Sequence, residues 1–120
     1  MTKGCPMPQY VVLIHSDPEA ADPPTDEERA AHDRHAEELA GSGSLAIAYA
    51  LGPPGEAVAI RGGTASAGPL RSSGPQVAGF CVIDAPDLDA AVAIAHGNPA
   101  ARAGAGVEVR PVEGGGVLRH

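Results

Sequence analysis

Short apolar runs alternate along the chain with stretches dense in Gly, Pro and charge, and the period inside each run assigns its structure. Over Gln9–His15 the β-branched and apolar side chains of YVVLI predict a strand buried on both faces. A proline- and acid-rich stretch, Ser16–Pro24, follows as a loop whose exit is stiffened by Pro23-Pro24. Thr25 and Glu28 have the spacing of a capping box, so a helix starts here and runs to about Ala40, where Gly41 and Gly43 stop it. On that helix His32, His35, Ala36 and Leu39 share one face, while Glu27, Arg34, Glu37 and Glu38 lie mostly away from it. Both imidazoles therefore point inward.

Leu45, Ile47, Tyr49 and Leu51 then alternate with Ala as a strand, and Gly52-Pro53-Pro54-Gly55 is expected to turn it into a hairpin with Ala57–Arg61. Gly62–Gln76 lacks periodicity and reads as a loop. Val77–Ile83 is a further strand, whose FCVI run again suggests burial on both faces. Asp87 caps a second helix with the apolar stripe Leu88, Ala91, Val92 and Ala95, ending near Gly97-Asn98-Pro99, and Val107–Val112 is the last strand. This order predicts a ferredoxin-like α+β domain over residues 9–113, an antiparallel sheet with helices on one face, flanked by flexible ends at 1–8 and 114–120. Two helices cover only one face of such a sheet. The uncovered apolar face predicts a homodimer, a dimeric α+β barrel built by packing two sheets together.

Composition sharpens this picture. With one Phe, two Tyr and no Trp, the core must be built from Val, Ile, Leu and many Ala, so sheet and helices must approach closely. The net charge of −7, with one Lys and seven scattered Arg, offers no basic stripe for nucleic acid. No apolar run is long enough to span a bilayer and the first ten residues lack a secretory pattern, so no membrane partner and a cytoplasmic location are expected. Cys5 and Cys81 form neither a CxxC pair nor a disulfide framework; both are expected as reduced thiols, Cys81 in the core.

The candidate chemistry is a carboxylate and an imidazole: Asp17 closes the first strand and His32 faces inward from the first helix. Such a pair transfers protons, the carboxylate fixing the tautomer of the ring and stabilising its cation. With His32 as general acid or base and Asp17 orienting it, the pair suits proton removal beside a carbonyl in an elimination, isomerisation or cyclisation, without a cofactor. Ser16 and Tyr49 are candidates to hydrogen-bond a developing enolate, and Arg61 or Arg71 to receive an acidic substrate. His15 and His35 are further candidates for substrate contact. A second class is a metal site of His15, His32 and His35 with Asp17 nearby; the HxxH spacing on the helix fits a single metal less well than an i, i+4 pair, so no metal is expected. A third is a noncatalytic module that holds a metabolite in the same pocket. Neither GxGxxG nor GxxxxGK[ST] occurs, so nucleotide chemistry has no support. His96, at the end of the second helix, and His120 are incidental.

Several stretches in order resemble the YciI-like, or YCII-related, family, in its branch named for an Asp-Gly-Pro-Phe motif. They are YVVLIHSD, DEERAAHDRHAEEL, IRGGTASAGPL, GFCVIDAPDLDAA and VEVRPV, together spanning Tyr10 to Val112. The resemblance implies a ferredoxin-like fold that dimerises through its sheet, and a candidate catalytic pair that falls on Asp17 and His32. It further implies elimination or related reactions on small cyclic compounds. Three positions depart from the family pattern: the naming motif stands here as Ala67-Gly68-Pro69-Leu70, without its acid and its aromatic ring, and His35 occupies a position that is usually bulky and apolar.

Overall fold

The computed structural model describes residues 8–17, 25–71, 73–101 and 105–115, so the readings for Cys5, Pro23-Pro24 and His120 lie outside the described residues. Strands β1 (Gln9–Ser16), β2 (Leu45–Ala50), β5 (Gln76–Asp84) and β6 (Val107–Pro111) form one antiparallel sheet in the order β2-β5-β1-β6. Helix α1 (Asp26–Ser42) links β1 to β2, and α2 (Leu88–His96) links β5 to β6. This is the expected ferredoxin-like α+β arrangement, with a separate hairpin, β3 (Val58–Arg61) and β4 (Thr64–Ala67), inserted between β2 and β5.

Both helix starts follow the sequence signals. The Thr25 hydroxyl accepts from the Glu28 amide at 3.0 Å while the Thr25 amide donates to the Glu28 carboxylate at 2.7 Å, completing the capping box. Asp87 accepts from the Ala90 amide at 2.8 Å. Helix α1 passes through Gly41 and ends at Gly43, whose φ of 82° is the left-handed conformation that terminates helices.

The expected hairpin between the second and third strands does not form. Gly52–Gly55 runs into a 3-10 turn at Pro54–Glu56, β2 pairs with β5, and β3 pairs with β4 in a segment predicted as loop. The turn residues explain the difference: Gly62 and Gly63 both hold positive φ, 58° and 82°, as a tight two-residue hairpin connection requires, whereas the Pro-Pro pair suits no such turn.

Register sorts the sheet into two faces. Tyr10 opposes Ile83 and Val12 opposes Cys81 on the helix side, and these four side chains with Ala85, Ala91 and Ala95 make up the buried apolar core. Alanines at the α2 contact let the helix sit close to the sheet, as the composition demands. The stripe predicted for α2 is only half buried, because Leu88 and Val92 turn outward beside β6. Expected burial of β1 and β5 on both faces fails in the same way: Val11, Leu13, Phe80 and Val82 face away from the helices and stay partly exposed, joined on β2 by Ile47 and Tyr49. No helix of the described residues is long and apolar enough to cross a membrane.

Cys81 is buried in this core as a free thiol, and burial pushes its pKa up from the ordinary 9.0. The folded chain thus keeps a proton that the unfolded chain releases, so this contribution to stability is lost as pH rises above 9.0. Urea melts across that range are expected to show a decline that Cys81→Ala reduces, and thiol reagents should modify Cys81 only under unfolding conditions. Rapid modification of the native thiol would contradict the packing.

Candidate functional site

A cavity of about 430 Å³ opens where the end of β1 meets the first half of α1 and the β2–β5 edge of the sheet. Strand β1 supplies Ile14, His15 and Ser16; α1 supplies Arg29, His32 and Asp33; β2 supplies Tyr49 and Ala50. Ala78 and Gly79 of β5, with Ala100 from the 3-10 turn Pro99–Ala101, complete the lining.

Local irregularity shapes the cavity. The β1–β5 register slips between Ile14 and His15, which pair with Gly79 and Val77, leaving Ala78 as the extra residue of a bulge beside the cavity. Gly79 is the point of closest approach between β5 and β2: a Cβ there would stand 2.7 Å from the Tyr49 carbonyl oxygen. Only glycine lets β2 stay in register at this point, which in turn places Tyr49 on the lining. The Tyr49 ring packs against Phe80 with centroids 5.7 Å apart. Small residues at positions 50, 78, 79 and 100 leave the room that larger side chains would fill.

Four of the six sequence-predicted site residues come together here: His15, Ser16, His32 and Tyr49. Asp17 lies one residue beyond Ser16, exposed and outside the lining. His35 is not brought to this cavity. It lines a separate cleft of about 250 Å³ with Ala31, Arg34, Glu38, Gly97 and Pro99, close enough that a Cβ on Gly97 would stand 2.9 Å from its Cε1. His35 thus packs α1 against the end of α2. Nor are the three imidazoles gathered as a metal site would need, since among the described residues no three His, Cys, Asp or Glu side chains form a metal-holding group.

Two charged lining residues escaped the sequence reading, Asp33, next to His32 in the chain, and Arg29. Arg29 lies one turn before His32 on the same helical face, and that i, i+3 relation was the available signal. Its guanidinium donates to Asp26 at 2.9 Å, an exposed pair that water and salt weaken and that leaves further donors for a ligand. Arg61 and Arg71 stand elsewhere, Arg61 at the end of β3 and Arg71 beside a groove of about 510 Å³ at the base of the hairpin. That groove is the larger hollow but carries no acid–base pair: Gln76 spends its amide on the Arg71 and Gly74 carbonyls, and Arg71 donates to the Ser73 carbonyl.

The cavity thus sets two imidazoles, the Ser16 hydroxyl, the Arg29 guanidinium and the Asp33 carboxylate around an apolar floor, a set able to bind a small anion and move a proton, while the Tyr49 ring lies against Phe80 on the outward face of the sheet. Among curated proteins no sequence matches the chain. The YCII-related domain family matches residues 8–113, which takes in every strand and helix described above, and the chain belongs to that family.

Proposed function

We propose that this YCII-related domain acts on a small carbonyl-containing carboxylate, cyclic or able to cyclise, by cofactor-independent acid–base chemistry in the β1–α1 cavity. The observation that carries the reading is the convergence of His32, Ser16 and Arg29 on one small-molecule-sized hollow. Arg29 receives the carboxylate of the substrate. His32 takes the proton from the carbon beside the carbonyl, and Ser16 donates a hydrogen bond to the enolate oxygen as charge develops there. Asp17, adjoining Ser16, is the positioning carboxylate for His32, and His15 adds a polar contact at the rim. Returning the proton at another position gives isomerisation; expelling a leaving group from the next carbon gives elimination. The domain does this in the cytoplasm as a homodimer packed through the open sheet face, whose Ile47, Tyr49, Phe80 and Val82 stay partly or largely exposed among the described residues.

Proton abstraction can be measured without knowing the final product. Wild-type protein incubated in D2O with a panel of small keto acids and lactones is expected to exchange the hydrogen beside the carbonyl of at least one of them, read by loss of its proton NMR signal. Carboxylates should exchange and their amides should not. A compound that binds the cavity by chemical-shift mapping yet never exchanges would overturn the enzymatic reading and leave a metabolite-binding module.

A further inference from the structure

The β3–β4 hairpin departs from the domain, and its register makes it two-faced. Val58 pairs with Ala67 and Ile60 with Ala65 on one side of the ribbon; Ala59 pairs with Ser66 and Arg61 with Thr64 on the other. The first face is wholly apolar, and no described residue covers it: Val58 and Ile60 are 66% and 69% exposed. Each hairpin strand packs chiefly against the other, and an isolated two-stranded ribbon is marginal in water. Such a face needs an occupant.

We propose that the hairpin is an arm that clasps a second copy of this chain, seating Val58, Ile60, Ala65 and Ala67 on the partner beside the open sheet face. The inference rests on the homodimer reading above. Two observations select a second copy. The exposed side chains of Tyr49, Leu51, Val77 and Leu70 continue from the open sheet face to the base of the arm, so the two uncovered apolar surfaces form one tract. A two-fold partner lying on the sheet face is therefore within reach of the hairpin, and each arm meets the other copy equivalently. Charge agrees: residues 57–71 hold two arginines and no acid, while all fifteen acids of a chain with net charge −7 lie outside that stretch. A locally cationic arm favours an acidic copy of its own chain over a basic surface.

The test uses the full chain with a photoreactive benzophenone side chain placed at Ile60, prepared in light and isotopically heavy forms, mixed and irradiated at micromolar concentration. Mass spectrometry is expected to find light–heavy crosslinks. Crosslinks confined within single chains, or no more light–heavy product than from the same group at Glu37 on α1, would overturn the clasp. Sedimentation separates this from the dimer itself. Val58→Asp with Ile60→Asp is expected to keep the wild-type circular dichroism and raise the dimer dissociation constant roughly tenfold or more, since truncated central apolar contacts cost about that much. An unchanged constant would refute the arm and leave the sheet-face dimer standing, and Val82→Asp then tests that face alone. A wild-type chain that sediments as a monomer at micromolar concentration overturns both.

Discussion

Replacing His32 by Gln is expected to lower the proton-exchange rate about 100- to 10,000-fold, the range that a positioned general acid or base contributes, while the melting temperature stays within a few degrees of wild type. The two halves of this expectation have separate physical grounds. Gln cannot accept and release a proton near neutral pH, but it is a good helix former of similar reach. The helix loses no buried side chain either, because His32 is only partly covered and α1 holds no fully buried residue among those described. A purely structural histidine would give the reverse pattern, unchanged exchange with a depressed melting temperature. Rescue makes the distinction sharper: His32→Ala opens space on the cavity wall, and added imidazole is expected to restore part of the rate without changing stability. Asp17→Asn should reduce kcat with little change in KM, as expected of a group that acts through His32 rather than by holding substrate.

How much of this site was legible beforehand depends on the kind of signal each residue carries. His32 could be assigned to the inward face by helical period, and Ser16 followed from the end of a strand whose apolar run stops at Ile14. His35 shares that face by the same period but lies one turn further along, where the neighbour is Gly97 rather than β1. Period fixes the azimuth around a helix and says nothing about what lies opposite each turn. Arg29 was missed for a related reason: an arginine in a charged first turn reads as solvated until the strand end opposite it is known.

The same limit governs the fold. Capping boxes and strand periods are local, so β1, β5, β6 and both helices fell close to their predicted positions. Pairing is not local. The β2 partner is β5, some 30 residues away, and the Gly62-Gly63 turn that makes β3 and β4 a ribbon lay inside a Gly- and Ser-rich stretch whose alanine-rich alternation is too weak to register as a strand. Burial was overread for the opposite reason. An apolar run such as FCVI reports that both faces avoid water, and the two described helices cover only one of them.

Ile83→Ala is expected to cost about 4 kcal/mol, a large share of the roughly 5–15 kcal/mol that holds a domain of this size together. Ile83 is fully buried at 0% exposure, opposite Tyr10 on β1 and Leu45 on β2, in the middle of the sheet. With Val12 it is one of the two largest wholly enclosed side chains, in a core whose helix side is lined by Ala91 and Ala95. That composition sets the magnitude. Large flexible neighbours could swing inward to fill part of a void, but alanine methyl groups have no rotamers to change, so the lost methylene groups leave a cavity close to its full volume. Leu88→Ala supplies the comparison, because Leu88 is 46% exposed on α2 and its truncation should cost under about 1 kcal/mol. Urea denaturation at equal protomer concentration, with unchanged m-values, measures both. If the two substitutions prove equally mild, the core does not lie between α2 and the β1–β5 pair, and the placement of the cavity at the far end of that pair loses its foundation.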